Sequence, residues 1–150
     1  MAARSQFSTF FLDRLFFGVE VEKVQEVIRY QAMTRVPLAP PVVRGLINLR
    51  GQIVTALDLR RRLDLPERPP EALPMNVVVR TDDGVLSLLV DEIGDVLEVD
   101  QSAFERPPDT LQGSVRELIL GAFKLKDRLL LTLDLEKVIH LGAAAPGQAH

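Results

Sequence analysis

An internal repeat is the feature of this sequence that most constrains its fold. Residues 45–63, GLINLRGQIVTALDLRRRL, align without a gap on residues 121–139, GAFKLKDRLLLTLDLEKVI. The identical pairs are Gly45/Gly121, Leu49/Leu125, Leu57/Leu133, Asp58/Asp134 and Leu59/Leu135. A second match places VEKVQEVI, residues 21–28, on VDEIGDVL, residues 90–97, where every apolar position meets an apolar residue. The chain is therefore predicted to contain two copies of one small unit.

Each copy is predicted to be built mainly from β-hairpins. The first opens with FSTFFL and LFFGVEV meeting at Asp13 and Arg14, and the second with NVVVRTDDGVLSLLV turning at Asp83-Gly84. Each copy also has a second hairpin, of which residues 43–49 and 52–58 form the clearer example. The four prolines of PERPPEALP, residues 66–74, predict an extended connector between the copies.

Short helices are predicted between the hairpins. Valine and isoleucine recur at helical spacing in residues 21–28, with charged and polar residues between them, which indicates an amphipathic helix. Residues 90–97 carry a comparable stripe, and a further short helix is expected through Leu59 and Leu63. We expect the apolar side of these helices to face the core.

A unit of four or five short strands exposes sheet edges unless the sheet closes on itself. We therefore predict a mainly β fold of two small β-barrels packed side by side, with short helices. The domain spans residues 7–140 and is pseudo-duplicated, with halves at about 7–65 and 75–140. Whether strands are exchanged between the barrels is left open. Residues 1–6 and 141–150 are predicted to be disordered.

Composition argues against catalysis and cofactor binding. Cysteine is absent, so disulfides and thiolate chemistry are excluded. The two histidines, His140 and His150, have no partner at metal-ligand spacing, and no phosphate-binding glycine loop or catalytic triad is present. The carboxylates Asp91, Glu92 and Asp95 flank a predicted helix, where we expect them to be solvated, with Asp91 and Glu92 suited to its N-terminus. No enzyme activity, metal or cofactor is predicted.

Charge and hydropathy predict a protein of the cytoplasm. The sequence has no apolar run long enough to span a bilayer and no signal peptide, so direct membrane insertion is not expected. The basic run Arg60, Arg61 and Arg62 is flanked by aspartates and reads as a solvated helix face. A nucleic-acid-binding small barrel remains the alternative function, although a net charge of -3 and the lack of tryptophan disfavour it.

Arg50 occupies the position where the 43–58 hairpin turns. Gly51 beside it can adopt a positive φ, so the guanidinium would be displayed at the tip of two rigid strands. Spacing alone leaves two alternatives open. Arg50 either contacts a partner or is a turn residue that is solvated or bonded within the chain.

Four ordered segments carry a resemblance to a known family: VRGLINLRGQIVTALDLRRRL, VEKVQEVI, SLLVDEIGDVLEV and LKDRLLLTLDLEKVI. Together they resemble the CheW family, the adaptor domains of bacterial chemosensory arrays, over residues 7 to 140. The resemblance implies two five-stranded, SH3-like β-barrels packed together and no enzymatic activity. Phe16 and Phe17 make the first hairpin more apolar than is usual in the family. They either face a partner or fill the first barrel.

The resemblance also implies partners and a binding site. CheW proteins join the cytoplasmic tips of methyl-accepting chemoreceptors to the regulatory domain of the histidine kinase CheA, at receptor arrays on the membrane. Nucleic acid is not among these partners. Positions that match the receptor-contacting motifs of the family are Val24, Glu26, Gly45, Asn48 and Arg50.

Overall fold

The computed structural model describes residues 3–140, which form eleven strands and three short α-helices. The strands are β1 (Arg4–Leu12), β2 (Leu15–Glu20), β3 (Val24–Ile28), β4 (Val43–Leu49), β5 (Gln52–Asp58), β6 (Met75–Thr81), β7 (Gly84–Val90), β8 (Glu92–Asp100), β9 (Phe104–Glu105), β10 (Ile119–Lys124) and β11 (Leu129–Leu133). The helices are α1 (Leu59–Arg62), α2 (Gly113–Glu117) and α3 (Leu135–Ile139), and 3-10 turns cover Val21–Lys23 and Gln101–Ala103.

The strands form two sheets, which confirms the prediction of a mainly β fold in two parts. One sheet has the order β8-β1-β2-β11-β10-β9, and the other has the order β3-β6-β7-β5-β4. All neighbours are antiparallel except β2 with β11 and β5 with β7, which are parallel. Apart from the two-residue strand β9, the two sheets share one topology, in which a hairpin lies between a lone strand and a second hairpin.

Each sheet takes strands from both copies of the repeat. The β1–β2 hairpin of the first copy lies between β8 and β11 of the second copy, and the β6–β7 hairpin of the second copy lies between β3 and β5 of the first. The helix that follows each second hairpin is capped alike: Asp58 accepts from the Arg60 amide and Asp134 from the Lys137 amide. The hairpins are thus exchanged between the two sheets.

The largest apolar cluster is shared by both sheets. It contains Phe10 and Phe17 from the first sheet, Val77 and Leu88 from the second, and Val138 of α3, all fully buried. Each sheet also has a smaller cluster of its own, one around Phe16 and Leu130 and the other around Ile47 and Val78. Phe16 and Phe17 therefore fill the interior, which resolves the alternative left open by the sequence.

Closure of the second sheet differs from the prediction of a five-stranded barrel. In residues 3–140 no ladder joins the edge strands β3 and β4, and the first sheet has six strands. Instead, the segment that follows β3 forms one isolated pair with β4, in which the Thr34 and Leu46 amides each donate to the other residue's carbonyl at 2.9 and 2.8 Å. Prolines at 37, 40 and 41 follow Thr34, and their lack of amide donors prevents a longer ladder there.

The predicted helix over residues 21–28 is wrong, because only Val21–Lys23 form a 3-10 turn before strand β3. A register shift explains the helix-like spacing. Val24 pairs with Val79 and Val27 with Val77, so a bulge at Gln25 places residues three apart on one face of the strand. The helix predicted within 90–97 is also a strand, β8, and a similar shift lies between its residues Ile93 and Val96.

The first sheet begins earlier than predicted. Residues 1–6 were expected to be disordered, but β1 starts at Arg4, which pairs with Asp100 of β8. The Arg4 guanidinium also lies 3.2 Å from the Glu98 carboxylate. The pairing with β8, part of which was predicted to be a helix, therefore places residues 4–6 in the sheet. The predicted disorder of residues 141–150 concerns a segment outside the described residues.

Asp91 is held by a part-buried network between the sheets, contrary to its predicted place at a solvated helix terminus. Arg60 donates from Nε at 2.9 Å to Oδ1 and from Nη2 at 2.6 Å to Oδ2, and the Asp13 amide donates to Oδ2 at 2.7 Å. Arg68 adds a bond from Nε at 3.1 Å. The carboxylate therefore ties together the β7–β8 junction, α1, the proline-rich connector and the β1–β2 turn.

The run Arg60–Arg62 is accordingly not the solvated face predicted from its spacing. Arg60 is buried against Asp91 and also donates to the Pro66 carbonyl at 2.8 Å. Arg62 donates to the carbonyls of Val138 and Lys137 at 2.7 Å, which fastens α1 to α3. Arg61 alone is exposed, and it pairs with Glu67. Two of the three arginines are therefore occupied in holding the fold together.

Replacing Asp91 with asparagine should lower the free energy of unfolding at pH 7 by about 3 kcal/mol, because Arg60 and Arg68 would keep their buried charges and lose the carboxylate closest to both. Urea unfolding measures this change. Asp95→Asn removes the same charge from an exposed side chain and should have little effect. Equal losses in the two variants would contradict the role assigned to Asp91.

The difference in unfolding free energy between the wild type and Asp91→Asn should also depend on pH. Burial alone would raise the pKa of Asp91, but the bonds from Arg60 and the Asp13 amide and the charge of Arg68 outweigh it and lower the pKa. A carboxylate with a lowered pKa stabilises the folded state above its unfolded pKa of about 3.9. The gap in unfolding free energy between the wild type and Asp91→Asn should therefore hold at neutral pH and narrow below about pH 4.

Candidate functional site

The β4–β5 hairpin turns through two residues, Arg50 and Gly51, as the sequence predicts. Their φ angles are 51° and 89°, and two consecutive positive values are typical of a type I′ turn. The Asn48 side chain accepts a hydrogen bond from the Gly51 amide at 2.8 Å, which fixes the turn from within. Arg50 accordingly stands at the tip of the hairpin in a backbone conformation that asparagine or glycine would adopt more readily.

Arg50 forms a two-pronged ion pair with Glu26 of β3. Nη1 lies 2.7 Å from Oε2 and Nη2 lies 2.8 Å from Oε1, the fork geometry that makes arginine–carboxylate pairs specific. The two side chains differ in exposure: that of Glu26 is 18% exposed and that of Arg50 is 75% exposed. The carboxylate is therefore set against the sheet while the guanidinium faces outwards.

This ion pair joins the two edges of one sheet. Glu26 lies on the edge strand β3 and Arg50 follows the opposite edge strand β4. The pair adds to the Thr34–Leu46 bridge in holding these edges together. Hydrogen bonds from Arg50 lower the pKa of Glu26, so the carboxylate stays ionised at neutral pH.

Gly45 has a packing role in the same closure. A Cβ atom built on it would lie 2.6 Å from the Thr34 carbonyl oxygen and 3.1 Å from the Met33 Cβ. Any larger residue at position 45 would push the segment at Met33 and Thr34 away from β4. Gly45 is buried, so it shapes the site and offers no contact surface of its own.

Val24 is half-buried and packs against the shared core. Of the five residues predicted from the family motifs, the structure thus brings Glu26, Asn48 and Arg50 together at the turn. Val24 and Gly45 support this arrangement from β3 and β4.

Sequence reasoning missed Ile53. It lies directly across from Asn48 in the β4–β5 ladder, so the two side chains share a face, and it is 59% exposed. Pairing the residues outward from the two-residue turn places Ile53 opposite Asn48, so the sequence contained the signal for this position. We call Glu26, Asn48, Arg50 and Ile53 the turn surface. It combines a fixed cation, an amide and an apolar side chain, which suits contact with another protein.

Within residues 3–140, no group of three or more histidine or acidic residues is placed to hold a metal ion. No helix in this range is long and apolar enough to cross a membrane.

The paired sheets and the turn surface define a small two-sheet β domain with an exposed polar and apolar surface at one hairpin tip. A family model described as "CheW-like domain" matches residues 6–142. The chain therefore belongs to the CheW-like domain family, which confirms the resemblance. The family is one of non-catalytic chemotaxis adaptors and scaffolds, so the chain is not an enzyme.

Individual relatives agree with this assignment. The chain is 32% identical to chemotaxis protein CheW of Bacillus subtilis strain 168 over 136 residues, covering 89% of this chain and 87% of the relative. It is 30% identical to chemotaxis protein CheW of Treponema pallidum over 137 residues, covering 89% of this chain and 81% of the relative.

A solved structure supports the fold. The crystal structure of scaffolding protein TtCheW from Thermoanaerobacter tengcongensis superposes with a TM-score of 0.81 at 24% identity. The match covers 93% of this chain and 94% of the other. The two-sheet architecture is therefore that of a known CheW scaffold.

Substituting Arg50 with glutamine should raise the pKa of Glu26 toward its ordinary value, because the hydrogen bonds that lower it would be lost. A carbon-13 NMR titration of the Glu26 carboxyl measures the change. Arg44→Gln is the matched control, since Arg44 lies near the other end of β4 and pairs with Asp58. An unchanged titration of Glu26 in Arg50→Gln would show that the ion pair is not formed in solution.

Proposed function

We propose that this protein is an adaptor that links the cytoplasmic tips of chemoreceptors to the regulatory domain of the histidine kinase CheA. It acts in the cytoplasm, at receptor arrays on the membrane. Membership of the CheW-like family supports the adaptor role. The proposed contact with the receptor rests on one observation, the pairing of an exposed Arg50 with a Glu26 that lies against the sheet.

The ion pair prepares Arg50 for binding. Glu26 takes up one N–H from each terminal nitrogen, so the remaining N–H groups of the guanidinium can donate to a carbonyl or carboxylate of a partner. Because the side chain is already oriented, less conformational entropy is lost on contact. Arg50 can therefore fix the register of a partner without leaving Glu26.

Ile53 supplies the apolar component of this surface. Its exposed side chain lies beside Asn48 and near the tip of the hairpin. An amphipathic helix of a receptor tip would place apolar residues against Ile53 and polar groups against Asn48 and Arg50. The turn surface thus fits a helical partner that combines both kinds of side chain.

Signalling through such an adaptor needs no chemistry on the adaptor itself. A receptor that binds differently in its two signalling states shifts the population of the kinase states coupled to it. The network at Asp91 ties the two sheets together and so provides a physical connection between a partner bound to one sheet and the other sheet.

Arg50→Glu should abolish binding of a receptor-tip fragment, because it repels Glu26 and removes the donor at the hairpin tip. Binding to the CheA regulatory domain should stay close to the wild-type value. The melting temperature should fall by no more than a few degrees, because an exposed ion pair contributes little to stability. Isothermal titration calorimetry with the purified chain measures both interactions. Arg106→Glu makes the same charge change at an exposed residue that has no ion pair within 3–140, so it should bind both partners normally.

Two results would contradict the receptor-facing role. Receptor binding that survives Arg50→Glu would place the receptor contact elsewhere on the chain. An equal loss with Arg106→Glu would mean that net charge, and not the turn surface, determines the interaction.

A further inference from the structure

An arginine-lined cleft lies at the opposite end of the β4–β5 hairpin from the turn surface. Its volume is about 690 Å³, within the range of small-molecule sites. The start of β4, the end of β5 and the proline-rich segments around residues 36–41 and 66–70 line it. Since β4 has seven residues, the cleft is about 20 Å from Arg50.

The cleft carries an excess of positive charge on a chain whose net charge is -3. Its charged lining residues are Arg35, Arg44, Arg61, Arg68, Asp58 and Glu67. Four guanidinium groups thus face two carboxylates in the lining, and Asp91 pairs with Arg68 from behind it, so the cleft keeps a net positive charge. A bound anion would balance this charge.

Arg68 provides the fixed part of this charge. Its side chain is only 7% exposed, and Nε donates to Asp91 at 3.1 Å. Nη2 is buried and also 3.1 Å from Asp91 Oδ1, but its geometry does not make a hydrogen bond with any described residue. Nη1 of the same guanidinium lies 3.8 Å from Asp58 Oδ1, so two carboxylates hold Arg68 in place at the back of the cleft while one of its buried nitrogens lacks a hydrogen bond.

The other arginines keep donors available. Arg44 is half exposed and uses Nη1 on Asp58 at 3.1 Å, while Arg61 uses Nη2 on the exposed Glu67 at 2.7 Å. Arg35 is exposed and has no ion pair within residues 3–140. Arginine forks bind the oxygens of phosphate in pairs, and a phosphate monoester carries close to two negative charges at pH 7.

We propose that this cleft binds a phosphate-bearing small anion, with Arg35, Arg44 and Arg61 as its direct ligands and Arg68 as the buried charge behind them. The anion would compete with Asp58 for Arg44, so its binding reaches the network that joins the sheets. This site is separate from the turn surface and does not depend on the proposed receptor and kinase interactions.

Inorganic pyrophosphate is the probe for the test. It is titrated into the nitrogen-15-labelled full chain at a constant ionic strength of roughly 0.15 M, with detection of backbone amide and arginine Nε signals. Saturable shifts should concentrate at residues 35–44 and 58–68. Arg35→Gln and Arg44→Gln should each weaken binding about tenfold, the loss of one charge-assisted contact. Arg106→Gln removes the same charge outside the cleft and should bind normally.

Arg35→Gln keeps the test interpretable if Arg44→Gln disturbs Asp58, because the Arg35 side chain has no ion-pair partner to lose within the described residues. Chemical shift changes spread over the whole surface, together with equal weakening of pyrophosphate binding by Arg106→Gln, would overturn the proposal. They would show that pyrophosphate responds to the overall charge of the protein and not to the cleft. Binding of a polyglutamate peptide with no response to pyrophosphate would also overturn it, in favour of a protein-docking surface.

Discussion

The contact between Asp91 and Arg60 is the constraint on which the arrangement of the two sheets depends. Asp91 lies where the chain passes from β7 in one sheet to β8 in the other. Arg60 is the second residue of α1, the helix that follows β5. Because the hairpins are exchanged between the sheets, this crossing cannot be displaced without disturbing both. A carboxylate that receives bonds from two arginines and from the Asp13 amide fixes the crossing at one point.

Much of the fold could be predicted from local sequence. The hairpins at Asp13-Arg14 and Arg50-Gly51 follow from turn residues, and the repeat follows from aligned apolar positions and the capping aspartates. The β6–β7 hairpin was predicted to turn at Asp83-Gly84, but Gly84 pairs with Thr81 and the turn lies one residue earlier. The helix predicted over 21–28 failed because a β-bulge gives a strand the spacing of a helix. Arg60 was mistaken for a solvated residue because its partner is 31 positions away and no local pattern indicates it.

The candidate site also combines features that the sequence could predict with one that it could not. Arg50 could be placed from the turn alone, and Glu26 and Asn48 came from the family motif. That Glu26 meets Arg50 depends on two edge strands approaching each other, which no spacing within either strand encodes. The β4–β5 hairpin then presents different chemistry at its two ends: an exposed cation at the tip and a group of arginines at the base. A rigid hairpin is a suitable support for both.

The most direct test of the account is to map the receptor contact on the protein itself. A nitrogen-15 NMR titration of the labelled chain with a receptor-tip fragment reports each amide separately. We expect the largest shifts at residues 24–26 and 45–53, with smaller effects on β8–β10. Shifts centred on the six-stranded sheet, with the amides of Arg50 and Gly51 unchanged, would contradict the assignment of the turn surface.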